Sequence, residues 1–381
     1  MYHMTEQFIS DTAPRSDAMS WFKRNRSRLL LWLRLLIAFG LMAVVISLVA
    51  GDRDQLTNVD WSLIPLAWAL MLTSTVVKAY RWSLLVRQSH MDISFTRLVG
   101  SYFVGGFFST VLPTSVGGDS VRAVDVATTT GRVADSTSSV LIERGIGLLA
   151  VIGGGSICAL FLEPGRVPTI FLLTIHGLFI GGIVGLVMLR QGWFIEPVAM
   201  IMTRMKMAKL AEKVRKLQAA FSGHLGRADV LLAMLLLSII ANMLTMGATY
   251  IVLTAVTDPI SIAAFVPMIA LSTAAELLPI SIAALGVKES AYIFFLGLVS
   301  VDQAEAGVIA IIMRVLVWAQ AMLGGLVFMR RTLRARSAAG GVAPLAAARG
   351  DGHGPAGIIP PAADTEDAPE AHDEIIQIPP G

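Results

Sequence analysis

Residues 112–122 contain the charged and conformationally unusual residues around which the rest of the sequence can be interpreted. They read Leu-Pro-Thr-Ser-Val-Gly-Gly-Asp-Ser-Val-Arg and lie in a long apolar region. Gly117 and Gly118 allow positive φ angles and close approach of the backbone, and Asp119 can cap a helix that follows. Arg122 can bind a phosphate through two parallel hydrogen bonds. Charges inside a membrane cost about 2.5–3.5 kcal/mol each, so a function is the default hypothesis for them.

A second copy of this stretch lies at residues 278–288, which read Leu-Pro-Ile-Ser-Ile-Ala-Ala-Leu-Gly-Val-Lys. Aligned without a gap, the two copies share the Leu-Pro and the serine two residues after the proline, and Arg122 matches Lys288. Interrupted hydrophobic segments at corresponding positions of two halves are the best sequence indication of a transporter's binding site. A chance match of two short strings in an apolar chain is the alternative.

Further charged residues follow each copy within the apolar regions of the chain. Free N–H groups at interrupted helices favour anions, so we expect the two interruptions to form a polar cavity that binds an anionic head group. The alternative is that the charges only pair with one another and hold the interrupted helices in place. The predicted substrate-binding residues are Pro113, Gly117, Gly118, Asp119, Arg122, Glu143, Arg144, Pro279, Gly286, Lys288, Glu289 and Arg314.

The composition indicates a membrane protein with many spans. Of the 381 residues, 55% are hydrophobic and 15% are charged, whereas a soluble domain has about 25% charged residues. The one cysteine, Cys158, excludes an internal disulfide bond and a multi-cysteine metal site. His176 is the one histidine in a predicted span, and we expect it to be hydrogen-bonded or to face a pore. We expect no metal, no cofactor and no nucleic-acid partner, and the nucleotide-binding motif Gly-x-x-x-x-Gly-Lys-Ser/Thr does not occur.

The distribution of Lys and Arg predicts a path through the membrane, because cytoplasmic loops carry an excess of these residues. We predict an all-α polytopic membrane protein with about six full spans and two re-entrant helical hairpins, which makes about eight hydrophobic segments. The first hairpin enters from the cytoplasm and the second from outside, so the two halves form an inverted-topology repeat with both termini in the cytoplasm. The hairpins are residues 98–130 and 262–300, and the full spans are residues 29–50, 62–86, 137–162, 168–189, 229–256 and 306–329.

The same path divides the chain into domains. The predicted transmembrane repeats are residues 29–162 and 163–336, which follow a cytoplasmic tail at residues 1–28. Residues 337–381 are rich in Ala, Gly, Pro and acids and are predicted to be disordered. Residues 190–228 are basic, with apolar residues at helical spacing, and predict an amphipathic helix on the inner leaflet. A connector that is merely solvated is the alternative.

The end of the second predicted span is basic, which assigns this end to the cytoplasm. Lys78 and Arg81 are two of the basic residues on which this assignment rests. Trp82, beside them, is expected at the depth of the membrane–water interface.

Over about residues 25–335, the sequence resembles the family built on the transmembrane region of lysylphosphatidylglycerol synthase, also called the flippase-like domain family. The resemblance implies an inner-membrane protein that moves a lipid between leaflets. Larger members carry a C-terminal aminoacyl-transferase domain, whereas only a short tail follows the last span here, so we expect no lipid aminoacylation. The motifs that carry the resemblance are Phe107 through Leu112-Pro113, Gly117-Gly118-Asp119-x-x-Arg122, Glu143-Arg144, Leu278-Pro279, Leu285-Gly286-Val287-Lys288-Glu289 and Arg314.

The leading hypothesis is a transporter, not an enzyme, that moves a phospholipid or a lipid-linked anionic intermediate between leaflets by alternating access. Transport would be passive or coupled to an ion, with Glu143, Glu276 and Glu289 as candidate proton carriers. One alternative is a membrane-embedded transferase that acts on a lipid-linked substrate, although such enzymes usually show clustered carboxylates or histidines. Another is a non-transporting factor in cell-envelope assembly. Membrane lipids are the expected partners, and the formation of a homo-oligomer is left open.

Overall fold

The computed structural model of the protein describes residues 40, 43, 46 and 47 of the first predicted span and residues 58–112, 117–193, 195–205, 207–276 and 285–340. Within these residues the chain forms helices and no strands, so the predicted all-α class is confirmed. A short 3₁₀ turn, Trp61–Leu63, leads into the first α-helix. The α-helices are α1 (Ile64–Gln88), α2 (Phe95–Val111), α3 (Gly117–Thr130), α4 (Val133–Ala159), α5 (Thr169–Gln191), α6 (Ile195–Arg204), α7 (Ala208–Leu225), α8 (Ala228–Val256), α9 (Ile262–Ala275), α10 (Val287–Gly297) and α11 (Gln303–Gly340).

Among the described residues, five helices are long and apolar enough to cross a membrane. About 20 apolar residues are needed for this. The five are Trp61–Gln88, Val133–Ala159, Thr169–Gln191, Ala228–Val256 and Gln303–Arg334. Each matches one predicted full span, and they belong to α1, α4, α5, α8 and α11. Of the sixth predicted span, residues 29–50, the structure describes four helical positions only. The tail at residues 1–28 lies outside the described residues. The protein is a polytopic membrane protein.

The loops predicted to face the outside come together at one end of the helices. The backbone N–H of Asp60 donates to the carbonyl oxygen of Ala255 at 2.8 Å. The Thr257 hydroxyl donates to the Glu305 carboxylate, also at 2.8 Å. Val167, in the turn between α4 and α5, is buried in the main apolar core. Loops that are distant in sequence therefore share this end.

The segments predicted to face the cytoplasm come together at the other end. Asp125 on α3 accepts hydrogen bonds from Arg97 at 3.2 Å, from Arg331 at 3.0 Å and from the Ser101 hydroxyl. Arg331 also donates to the carbonyl oxygen of Arg97 at 2.8 Å. We call these four residues the Asp125 cluster. The loops are thus grouped as the charge distribution predicts, and the assignment of each end to a side of the membrane stays a prediction.

The two predicted hairpins correspond to two pairs of packed helices, α2 with α3 and α9 with α10. The first pair begins and ends near the Asp125 cluster, whereas the second begins and ends at the opposite end, beside Thr257 and Glu305. The tips at residues 113–116 and 277–284 lie outside the described residues, and so do the predicted site residues Pro113 and Pro279. The prediction that the pairs are re-entrant in a membrane stays a prediction.

Glycine allows α2 and α3 to pack closely. A Cβ atom added at Gly118 would lie 2.1 Å from the carbonyl oxygen of Gly105, so no larger residue fits there without a shift of the backbone. Of the two features that glycine allows here, the close approach is present at Gly118 and a positive φ angle is not, because this glycine lies in the helical part of α3. Asp119 is the third residue of α3 and lies inside the helix, not at its N-cap.

The basic connector folds as two helices, not as the single amphipathic helix predicted for residues 190–228. α5 ends at Gly192, whose φ angle of 72° is in the left-handed region that favours glycine. α6 and α7 follow and pack against each other, and α7 also packs against α4 and α5. A surface location on the inner leaflet stays a prediction for this segment.

His224, near the end of α7, is buried against the end of α1. Its ring lies 3.2 Å from the Ser89 hydroxyl, and the amide of Gln88 donates to the His224 carbonyl oxygen at 3.2 Å. Burial lowers the pKa of His224 below the usual 6.5, although the nearby Asp135 opposes the shift. The neutral ring is therefore the form that this packing favours.

The chain divides into two compact units, Met1–Thr332 and Leu333–Gly381. The described part of the second unit is helical through Gly340. The first four residues of the predicted tail at 337–381 are therefore helical, and the rest of that tail lies outside the described residues.

Candidate functional site

Glu143 on α4 is the carboxylate at the centre of a buried group of charges. Its side chain is 2% exposed and accepts hydrogen bonds from Arg81 on α1 and from Arg122 on α3, the latter at 2.9 Å. The Tyr102 hydroxyl on α2 donates to the same carboxylate at 3.2 Å. Removing one partner of a buried ion pair costs about 3–5 kcal/mol, because a charge is left unpaired. Glu143 therefore holds four helices in one arrangement.

Arg122 is enclosed by aromatic rings and carboxylates. The central carbon of its guanidinium lies 4.2 Å from the centre of the Tyr102 ring and 4.9 Å from the centre of the Trp82 ring. A guanidinium nitrogen lies 3.3 Å from the Asp119 carboxylate. Cation–π contacts of this kind add to the ion pairs. The geometry suits a residue that positions Asp119 and Glu143.

Lys78 and Arg81 lie within the predicted span α1, although the sequence suggested that they mark its cytoplasmic end. Arg81 is 3% exposed and donates to Ser238 on α8 at 2.6 Å. Lys78 donates to Thr245, also on α8, at 3.2 Å. Trp82 is fully buried and its indole N–H donates to a serine of α4 at 3.1 Å. Trp82 thus packs inside the protein, and its expected depth at the membrane–water interface stays a prediction.

Two acidic residues hold the same position in the two helix pairs. Asp119 is the third residue of α3, and Glu289 is the third residue of α10. Each accepts a hydrogen bond from an arginine 25 residues further along the chain, Arg144 and Arg314 respectively. Each arginine is the twelfth residue of the helix that follows its pair. The structure thus matches Asp119 with Glu289, whereas the ungapped alignment of the two sequence stretches matches Arg122 with Lys288. The two alignments are shifted by four residues, about one helical turn.

The second helix pair contains a further ion pair and a capped helix start. Lys288 lies 2.7 Å from the Glu276 carboxylate. Glu289 is 1% exposed and, besides Arg314, accepts the backbone N–H of Gly286 at 2.9 Å. Gly286 has a φ angle of 77°, which glycine adopts without strain. These contacts agree with the alternative in which the charges only pair with one another and hold the helices in place. A role of these residues in ligand binding stays a prediction.

A polar cavity of about 470 Å³ opens between the two helix pairs. Its walls come from α1, α2, α3, α4, α8 and α9, and three predicted site residues, Asp119, Glu143 and Arg144, contribute to them. The other charged residues predicted to bind substrate are not part of the described lining, namely Arg122, Lys288, Glu289 and Arg314. The polar lining residues are Lys78, Arg81, Tyr102, Ser109, Asp119, Glu143, Arg144, Asn242, Thr273 and Glu276.

An apolar groove of about 720 Å³ lies beside the polar cavity, between α4, α5, α8 and α9. Val151 and Asn242 line both spaces, so the two share a wall. A Cβ atom added at Gly154, inside the groove, would meet no atom within 4 Å. Both volumes fall in the range of about 300–1,000 Å³ that is typical of ligand sites. Together the two spaces can accept one molecule with a charged part and a hydrocarbon part.

Lys78, Arg81 and Asn242 are lining residues that the sequence reasoning did not identify as part of the site. A signal was present for the first two. Ser74, Lys78 and Arg81 recur at spacings of four and three residues, which places them on one face of an otherwise apolar helix. This face packs against α8, where all three side chains form hydrogen bonds.

His176 and the metal-ligating residue types form no further site in the described part of the chain. His176 lies 2.5 Å from the Ser156 hydroxyl, so the expectation of a hydrogen-bonded histidine is confirmed. Among the described residues, no group of three His, Cys, Asp or Glu side chains is arranged to hold a metal ion.

A family model described as the lysylphosphatidylglycerol synthase TM region matches residues 31–325. The protein belongs to this family. The match includes both helix pairs and the polar cavity between them, and it confirms the resemblance seen in the sequence motifs. A search of curated proteins gave no match. Membership of the family and the five spanning helices indicate a membrane protein with a lipid-related function.

Proposed function

We propose that the protein moves an anionic phospholipid, or a lipid-linked anionic intermediate, from one leaflet of the membrane to the other. The observation that carries the proposal is the wall shared by the polar cavity and the apolar groove at Val151 and Asn242. A lipid that changes leaflet must keep its head group in a polar space, because a charge in hydrocarbon is costly. Its acyl chains must stay in an apolar one. The two adjoining spaces meet both requirements.

The two helix pairs provide the expected moving parts. We infer that α2 with α3 and α9 with α10 are re-entrant hairpins of an inverted-topology repeat, with the site between them. Three observations support this. The pairs begin at opposite ends of the helices, their acids have equivalent positions, and both pairs contribute to the cavity wall. A small displacement of either pair would then open the cavity toward one side only.

We place the protein in the inner (plasma) membrane, with the end that holds the Asp125 cluster facing the cytoplasm. Arg87, Arg97, Arg132 and Arg331 lie at this end, and the basic helix α7 packs there through His224. An excess of Lys and Arg is typical of cytoplasmic segments. Both termini would then be cytoplasmic, and the candidate proton carriers remain Glu143, Glu276 and Glu289.

Leaflet exchange in liposomes tests the proposal. The purified full-length protein is placed in liposomes that contain a fluorescent phosphatidylglycerol, and a reagent that cannot cross the bilayer destroys the fluorescence of the outer leaflet. We expect the protein to expose the inner-leaflet lipid as well, whereas protein-free liposomes keep it protected. A chemically altered lipid in mass spectra would indicate the transferase alternative. If the lipid is neither altered nor exchanged between leaflets, the result would support the alternative of a non-transporting factor in cell-envelope assembly.

A further inference from the structure

Lys78 differs from the other cations that line the polar cavity. Arg81 pairs with Glu143, and Arg144 pairs with Asp119. Lys78 instead donates to the Thr245 hydroxyl at 3.2 Å, and no carboxylate of the described residues lies within 4 Å of its ammonium nitrogen. A lysine ammonium has three N–H donors. Two of them therefore lack a described hydrogen-bond partner.

The surroundings of Lys78 orient it toward the cavity. The Thr245 hydroxyl donates to the carbonyl oxygen of Ala241 at 3.0 Å, so its lone pairs are free to accept from the ammonium. Ser74 lies 2.8 Å from the same hydroxyl, one helical turn before Lys78 on α1. The stem of Lys78 is thus held in the contact between α1 and α8, while the residue lines the cavity.

The carboxylates that line the cavity leave Lys78 without an ion-pair partner among the described residues. The hairpin tips that lie outside the described residues contain no acidic residue in the sequence, so they supply no carboxylate to Lys78. Three cations and three carboxylates of the described residues line the cavity, and two of the cations, Arg81 and Arg144, are paired with carboxylates among these three. The cations are Lys78, Arg81 and Arg144, and the carboxylates are Asp119, Glu143 and Glu276.

We propose that Lys78, Thr245 and Asn242 form a subsite that binds the phosphate of a lipid head group. The inference deepens the proposed function and rests on it for the identity of the ligand as a lipid. Asn242 uses one N–H for the carbonyl oxygen of Gly147, at 3.2 Å, and has a second to donate. Because Asn242 also lines the apolar groove, a phosphate bound here would sit where head group and acyl chains join.

The test compares the binding of two lipids that differ in the phosphate. Phosphatidylglycerol and diacylglycerol with the same acyl chains are titrated into the purified full-length protein in detergent, and native mass spectrometry records the bound fraction. We expect Lys78→Met to bind phosphatidylglycerol about tenfold more weakly than the unaltered protein, because a charge-assisted hydrogen bond is lost. Diacylglycerol binding should not change, and Lys78→Arg should restore most of the affinity. Lys216→Met is the matched control, since that lysine lies on α7 with its side chain 67% exposed.

Each outcome of the test has a defined meaning. Equal affinity of Lys78→Met and the unaltered protein for phosphatidylglycerol overturns the subsite. If inorganic phosphate displaces the bound lipid with the same efficiency as free phosphatidylglycerol, the site binds free anions. This result overturns the lipid assignment. If Lys78→Met fails to fold, as shown by its melting profile, Thr245→Val replaces it and should weaken binding in the same direction. Absence of leaflet exchange in the unaltered protein refutes transport but leaves the binding result standing.

Discussion

Asp119 and Glu289 are equivalent acids: each is the third residue of the second helix in its pair, and each accepts a hydrogen bond from an arginine of the following helix. The contact fixes α3 to α4 and α10 to α11. The pair of Glu289 and Arg314 is buried and therefore costly to break, and α3 is held to α4 in addition by the buried pair of Arg122 and Glu143. Each second helix should therefore move together with the span that follows it, and displacement during transport should occur between these bodies.

Glu289 is the better of the two acids for a test of this coupling, because it is 1% exposed and Arg314 is 10% exposed. We expect Glu289→Gln to lower the free energy of unfolding by about 3–5 kcal/mol, since a buried ion pair loses its carboxylate. The double variant Glu289→Met with Arg314→Met should recover most of this loss. Unfolding of the purified protein in mixtures of mild and denaturing detergent measures both.

The exposed pair of Arg227 and Asp229 serves as the control for the Glu289 experiment. Its side chains are 62% and 65% exposed, so solvent screens the interaction. Asp229→Asn should therefore leave the free energy of unfolding almost unchanged. Equal losses at the exposed and the buried pair would contradict the idea that the buried pair fixes α10 to α11.

Arg122 and Arg144 should respond differently to replacement by alanine. Arg144 lines the cavity and its side chain is 36% exposed, so Arg144→Ala should abolish leaflet exchange while the melting temperature changes little. Arg122 is 4% exposed and pairs with Glu143, so Arg122→Ala should lower both exchange and melting temperature. Leaflet exchange and thermal melting of each purified variant provide the two measurements. Arg166→Ala, in the turn between α4 and α5, is the control. Unchanged exchange in both site variants would remove this site assignment.

The apolar groove can be closed without disturbing the packing of the helices. Because a Cβ at Gly154 meets no atom within 4 Å, Gly154→Trp should fold normally and fill the groove with its side chain. We expect leaflet exchange to fall at least tenfold, since the acyl chains would lose their path. Gly145→Trp is the matched control on the same helix, because Gly145 is also open and lines neither space. Full exchange by Gly154→Trp would exclude the groove from the path.

His224 should make the contact between α1 and α7 sensitive to pH. Burial lowers its pKa in the folded protein below the usual 6.5, so the unfolded chain binds the proton more readily. Stability that is fully present above pH 6.5 should therefore decrease as the pH falls below that value. Melting temperatures between pH 8 and pH 5 measure the effect. His224→Leu should flatten this dependence, and an unchanged slope would assign it to other groups.

Local sequence patterns predicted the helix pairs well. The first predicted hairpin, residues 98–130, differs from α2 and α3 by three residues at its start. Pro113 and the pair Gly117-Gly118 predicted the break between these helices, because proline and adjacent glycines disfavour a continuous helix. The partly buried contact of Asp119 with Arg144 could not be predicted, because Arg144 lies one helix further on and the sequence shows its charge but not its position.

There is a physical reason why the sequence did not predict the contribution of α1 to the site. A basic residue near the end of a span satisfies the same sequence pattern whether it reaches water or a buried carboxylate. Arg81 meets Glu143 across 62 residues of sequence, and such a contact is decided by how α1 packs, which local patterns do not specify. The same holds for the four-residue difference between the sequence alignment and the structural equivalence of the two helix pairs.

The Asp125 cluster has a consequence for the first helix pair. One carboxylate accepts from a residue at the start of α2, from the next turn of that helix and from Arg331 on the last span. A swing of the pair away from the last span would keep the bonds of Arg97 and Ser101 to Asp125, because all three residues belong to the pair. It would break the bonds that Arg331 donates to Asp125, to Ser101 and to the Arg97 carbonyl oxygen. Because one guanidinium donates all of these bonds, we expect them to be released together, which would set a threshold for movement at this end.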